Sequence, residues 1–170
     1  MAALRIRNGV DRALLEQMSE GGDQSLMSWT PDAAVETEWR GSVESRSRVE
    51  RDGASGAGFA IVTDQPPTRL GNDAGPRPEE LVLAAIGAKF VETYALRATL
   101  CGITIESLCV GTRLHSADGV SADIEMEASV VADADDTLLH QISEQAYAAA
   151  GSMCQAASRI RFAMRAQGSS

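Results

Sequence analysis

The chain has 170 residues and 17.9 kDa, and its 15 basic against 24 acidic side chains give a formal charge of −9. A folded surface of about 8,000 Å² against about 26,000 Å² unfolded is enough burial for one core, and 44% hydrophobic with 23% charged residues is a globular rather than a disordered composition. The acidic balance argues against a nucleic-acid partner, which needs clustered Lys and Arg, and no apolar run reaches the ~20 residues of a membrane span.

Residues 1–30 are read as an N-terminal helical extension, peripheral to a domain over 31–170, because Ala13, Leu14, Leu15 and Met18 form a short amphipathic pattern that ends at Gly21 and Gly22. No apolar segment follows Arg5 and Arg7, so no secretory signal is read and the chain is expected to be cytoplasmic. VETEWRGSVESRSRV, broken at Gly41, and GFAIVT after it predict three antiparallel strands. DQPPTRLGNDAGP is too rich in Pro, Gly, Asn and Asp for regular structure.

Pro78 suits the first turn of a helix, Glu79 and Glu80 suit its positive end, and apolar spacing continues to Leu100 before Gly102 stops it. Its first half, LVLAAIGA, is apolar on nearly every side, so the helix should be central. Two strands with period-2 alternation follow, Leu108 to Leu114 and Val120 to Val130, joined by a turn at Asp118-Gly119. Asp133, Asp135 and Asp136 precede and cap a second helix that is expected to break at Gly151 and resume as MCQAASR. Alternation from Ile160 to Arg165 predicts a last strand. The order is βββ-α-ββ-α-β, an α+β domain with two long helices on antiparallel sheet.

Three cysteines, Cys101, Cys109 and Cys154, form no CxxC pair, and His115 and His140 stand alone, so neither a disulfide framework nor a metal site is expected, and no cofactor. Of the 15 basic residues only Lys89 is a lysine, and it lies on the apolar helix.

The stretch TDQPPTRLGNDAGPRPEELVLAAIGAKF, with this element order, resembles the osmotically inducible protein C and organic hydroperoxide resistance (OsmC/Ohr) family over roughly Val35 to Arg165. Gly102-Ile103 after the helix and a cysteine beyond the second helix add to the likeness. The resemblance implies an intertwined homodimer with two active sites between the subunits. It also implies reduction of organic hydroperoxides by a cysteine pair, one attacked by peroxide and the other resolving the sulfenic acid as a disulfide. Glu79 matches the family's glutamate and Cys154 its resolving cysteine, with Gln155 in place of the usual proline. Lys89, ten residues after Glu79, occupies the position of the attacking cysteine, and the family's activating arginine corresponds to Arg46 or Arg48.

An ammonium group neither attacks an O–O bond as a thiolate does nor forms a sulfenic acid. A divergent member of the oxidative-stress and detoxification class is therefore expected, one that acts on or binds a small organic molecule (hydroperoxide, carbonyl or carboxylate) in a dimer-interface pocket of Lys89, Glu79 and Cys154. Arg46, Arg48 and Phe90 are the candidate ligand contacts. Three roles stay open for Lys89: an ion pair with Glu79 or Glu92, a desolvated nucleophile or base with Glu79 as proton partner, or an anion holder with Arg46 or Arg48. The alternatives for the whole chain are residual thiol-dependent hydroperoxide reduction through Cys154, or a non-catalytic binding dimer. Phe90 and Tyr94 also read as packing, Cys154 as a small buried hydrophobe, and Trp29 and Trp39 as strand packing or a pocket mouth.

Overall fold

The computed structural model describes residues 6–19, 34–50, 58–115 and 123–156, with the side chains of Glu50 and 154–156 excepted. Two short strands, β1 (Ile6–Arg7) and β2 (Val10–Asp11), are joined by Asn8 and Gly9, both at positive φ, and lead into helix α1 (Arg12–Ser19). Strands β3 (Ala34–Gly41), β4 (Glu44–Glu50) and β5 (Phe59–Thr63) form an antiparallel sheet in that order. After a 3₁₀ turn at Pro67–Arg69 come helix α2 (Pro78–Leu100), strands β6 (Ile105–His115) and β7 (Asp123–Ala132) as an antiparallel pair, and helix α3 (Asp136–Ala156). The predicted βββ-α-ββ-α order is present. The predicted last strand, the Asp118-Gly119 turn and Trp29 lie outside the described residues.

The core lies where α2 and α3 cover one face of β6–β7. Ile86, Phe90, Tyr94 and Ala98 of α2 meet Ile142, Ala146 and Ala150 of α3 over Leu108, Val110, Met126, Ala128 and Val130. The pairing Leu108↔Val130, Val110↔Ala128, Thr112↔Met126 keeps these side chains on one face, as strand alternation requires. Phe90 and Tyr94 are fully buried, with Phe90 stacked on Tyr94 and edge-on to Tyr147. Each such ring contributes about 1.5–3 kcal/mol by burial.

The structure corrects the sequence reading in two places. Helix α3 runs unbroken through Gly151, since a helical glycine costs only about 1 kcal/mol relative to alanine and the packing of Ile142, Ala146 and Ala150 before it more than offsets that. The N-terminal segment is also more than a peripheral helix. Leu15 is buried, and Asn8 donates to Thr99 Oγ1 (3.1 Å) and the Ile103 carbonyl (2.9 Å) while its Oδ1 accepts the Ile105 N–H (2.9 Å). One side chain thereby ties the β1–β2 hairpin to the end of α2 and the start of β6.

The loop before α2 is equally fixed. Asp64, almost fully buried, accepts the N–H groups of Gln65 (2.8 Å), Asn72 (2.8 Å) and Ala74 (3.2 Å). The backbone folds over so closely that a Cβ at Gly71 would lie 1.8 Å from the Gln65 carbonyl oxygen and one at Gly75 would lie 2.3 Å from that of Val62. The Asn72 N–H above all, outweighing burial and helped by Gln65 and Ala74, holds the Asp64 carboxyl below its ordinary value of 3.8. A depressed folded value stabilises the fold above the unfolded value, and that contribution is lost as pH falls through the folded one. Asp64→Asn should therefore lower the melting temperature at neutral pH. It should also flatten the acid limb of a melting-temperature against pH curve, measured by circular dichroism, relative to the parent protein.

Candidate functional site

Lys89 sits on the flank of α2, beside the buried Phe90 and Tyr94 stripe, with its side chain 23% exposed. Its Nζ donates to Glu92 Oε2 at 2.9 Å. Of the two partners allowed by sequence, the structure gives it Glu92, one turn along the same helix. Glu79 is ten residues away, about 15 Å of helical rise. Such a pair stabilises a helix by at most about 0.5 kcal/mol, and Lys before Glu is the weaker order. Fold stability is therefore a poor explanation for this lone lysine.

The remaining candidate residues are dispersed within the chain. Phe90 is fully buried in the core, stacked on Tyr94. Arg46 and Arg48 project from β4 opposite Glu38 and Glu36 of β3, and these four side chains share one face of the three-stranded sheet. The opposite face carries a row of Val35, Val49 and Phe59 together with Trp39, which is 77% exposed. Trp39 Nε1 donates to the Ser42 carbonyl at 2.9 Å. Cys154 lies in α3, but its side chain is outside the described residues. Cys101 at the end of α2 and Cys109 on the outer face of β6 are exposed free thiols. Cys101 is twelve residues, about 18 Å, along the helix from Lys89.

Glu79 opens instead onto a groove of about 530 Å³ between the loop before α2, the first turn of α2 and the end of β6. Arg69, Arg77 and Glu80 line it with Glu79 on one side, Arg113 and His115 on the other, and Leu83 and Leu114 give it an apolar patch. Arg77 Nε and Nη2 both donate to Glu80 Oε1, at 2.9 and 2.6 Å, and its N–H donates to Glu80 Oε2 at 2.9 Å. That pairing, led by the side-chain hydrogen bond, holds the Glu80 carboxyl below its ordinary range and raises Arg77. Across the groove, Glu125 takes His115 Nε2 at 3.0 Å and lies 4.0 Å from Arg113 Nη1. No pattern in the sequence points to this groove, because it forms only where the Pro-rich loop and the far end of β6 meet the helix.

Among the described residues no three metal-ligating side chains cluster, and no helix is long and apolar enough to cross a membrane. No family model matches the sequence, and no curated protein matches it. Solved structures do match. A Psychrobacter arcticus protein described as an osmotic stress induced and detoxification response protein aligns with a TM-score of 0.58 at 15% identity, over 74% of this chain and 90% of that one. An OsmC-like protein from Mycoplasma pneumoniae aligns with a TM-score of 0.57 at 15% identity, over 75% and 90%. An OsmC-like protein of unknown function from Vibrio cholerae aligns with a TM-score of 0.51 at 14% identity, over 72% and 94%. At such identities the likeness is one of architecture, and by that measure the chain has the fold of the OsmC-like proteins.

Proposed function

We propose that this protein is an OsmC-like homodimer of the stress-response and detoxification class that engages a small carbonyl compound through Lys89 and does not run two-thiol hydroperoxide reduction. The observation that carries the reading is the half-buried Lys89 amine, the chain's only lysine side chain, hydrogen-bonded to Glu92 on the helix position where the resemblance calls for a reactive thiol. The adjacent carboxylate balances the ammonium charge, so the pair suits a neutral polar group better than a second anion. Glu92, in place of the expected Glu79, is positioned to shuttle protons at Nζ. Attack of the neutral amine on a carbonyl carbon forms a C–N bond, and loss of water leaves an imine.

Dimerisation is supported by apolar surface that one chain leaves open. Val35, Trp39 and Phe59 of the three-stranded sheet and Val82 of α2 are more than half exposed. A second copy would cover these faces and complete the surroundings of Lys89, with Arg46, Arg48 and Cys154 as further contributors. The protein should sediment at twice 17.9 kDa, and Val35→Glu with Trp39→Glu should shift it toward the monomer. A monomeric parent protein would overturn the shared pocket.

Purified protein with a dithiol should consume cumene hydroperoxide no faster than the dithiol alone, because Cys101 is about 18 Å along the helix from Lys89 and Cys109 lies on the face of β6 turned away from the helices. A faster rate that Cys154→Ser abolishes would restore the thiol enzyme.

Borohydride reduction in the presence of pyruvate or hexanal should fix a secondary amine on Lys89, located by peptide mass spectrometry. Lys89→Met should remove the label, and Glu92→Gln should slow its formation by about 100-fold if Glu92 moves the proton. Label confined to the N-terminal amine of the folded protein would refute lysine chemistry.

A further inference from the structure

Asn8 fastens the N-terminal hairpin to the domain through an amide that its own neighbour is able to attack. The chain has two asparagines, Asn8 and Asn72, and only Asn8 is followed by glycine. Asn8 (φ 51°) and Gly9 (φ 77°) make the turn between Arg7 and Val10, both at the positive φ that a two-residue hairpin loop favours. The side-chain amide is fully used. Nδ2 gives one hydrogen to Thr99 Oγ1 at 3.1 Å and the other to the Ile103 carbonyl at 2.9 Å, while Oδ1 accepts the Ile105 N–H at 2.9 Å. Thr99 and Ile103 are themselves buried, and Arg7 Nη1 donates to Thr104 Oγ1 at 3.2 Å. All of these contacts close on the junction of α2 and β6.

An asparagine before glycine is open to attack from within the chain, because glycine has no Cβ to hinder the approach of its nitrogen to the amide carbon. We infer that Asn8 is a spontaneous deamidation site which the closed hairpin protects, and that its conversion makes opening of the N-terminal segment a one-way step. In that reaction the Gly9 nitrogen bonds to Asn8 Cγ, the Cγ–Nδ2 bond breaks, and the Gly9 proton leaves with Nδ2 as ammonia. Water then opens the resulting imide at either carbonyl, giving aspartate or its isoaspartyl isomer. While the hairpin is closed, three hydrogen bonds hold both amide atoms against α2 and β6, so cyclisation requires local opening first. Afterwards the segment cannot close as before. The new carboxylate sets an acceptor against the Ile103 carbonyl where a donor stood, which leaves that carbonyl unpaired. The isoaspartyl form also lengthens the backbone of the turn. The loosened segment carries Leu15, buried in the closed state, beside Ile6, Leu14 and Met18, which are already more than half exposed. Conversion therefore adds to the apolar surface that the chain shows to water.

The test is tryptic peptide mapping of the full chain after incubation at mildly alkaline pH, folded and in urea, with Asn8 carried on the peptide Asn8–Arg12. Conversion should be about 100-fold slower in the folded chain, the protection expected from three hydrogen bonds that open together. Thr99→Val removes one of them and should speed conversion of the folded chain about tenfold, with the rate in urea unchanged. Hydrogen exchange gives a second measurement that needs no substitution at Thr99. The Ile105 N–H should be protected in the parent protein and should exchange freely in Asn8→Asp, while the amides of α2 around Phe90 stay protected in both. Equal rates in the folded and unfolded chain, or no conversion in urea, would overturn the inference. So would a folded Thr99→Val chain that converts no faster than the parent, or an Asn8→Asp chain that keeps the Ile105 N–H protected.

Discussion

Helix α2 needs cover on nearly every side, and much of the architecture follows from that requirement. Between Leu81 and Ala88 it carries no charge and no side chain able to hydrogen-bond, so each uncovered turn leaves apolar area in water at about 25 cal/mol per Å². The chain covers one flank with β6–β7 and α3, where Ile86, Phe90, Tyr94 and Ala98 are buried. The other flank, at Val82 and Val91, stays exposed. The uncovered row on β3–β5 presents the same deficit in sheet form. Two open apolar surfaces in one chain are the physical basis for proposing a second copy, independent of any likeness to other proteins.

A helix so central must also be held at its ends, where backbone groups lose their helical partners. At the N-terminal end Pro78 has no N–H to satisfy, and Glu80 accepts the Arg77 N–H. At the C-terminal end Gly102, at positive φ, lets the chain turn so that the Ile103 N–H reaches the Ala98 carbonyl at 2.8 Å. Asn8 then closes the junction between α2 and β6. Removing its amide would strand the Ile105 N–H and the Ile103 carbonyl, at about 1–3 kcal/mol for a buried group left unpaired. Asp133 adds a second tie between the same segments, accepting the Thr104 N–H, while its own N–H donates back to the Thr104 carbonyl at 3.1 Å.

How much of this was legible in the sequence depends on the length scale of each signal. The bounds of α2 could be read from Pro78 and Gly102, and the faces of β6 and β7 from their alternation, because these patterns run for many residues and tertiary packing agrees with them. The β1–β2 hairpin escaped because strands of two residues are too short to show a period, although Asn8-Gly9 is a strong turn signal. Glycine at 151 misled because its cost is small beside the packing of Ala146 and Ala150. At the site, the offset from Glu79 located Lys89, but its partner followed from helix geometry. Three residues along is a neighbouring side chain, whereas ten residues is nearly three turns.

The groove illustrates what a linear reading misses. In a chain of charge −9, several described cations stand beside carboxylates: Arg12 with Glu16, Arg40 with Glu38, Arg77 with Glu80, Lys89 with Glu92. Acidic excess makes a partner easy to find. Arg77 and Glu80 hold each other on one wall of the groove, and Glu125 holds His115 and Arg113 on the other. Each of these pairings is local and worth little by itself. Together they line one hollow with side chains drawn from segments far apart in the sequence, which no linear pattern brings together.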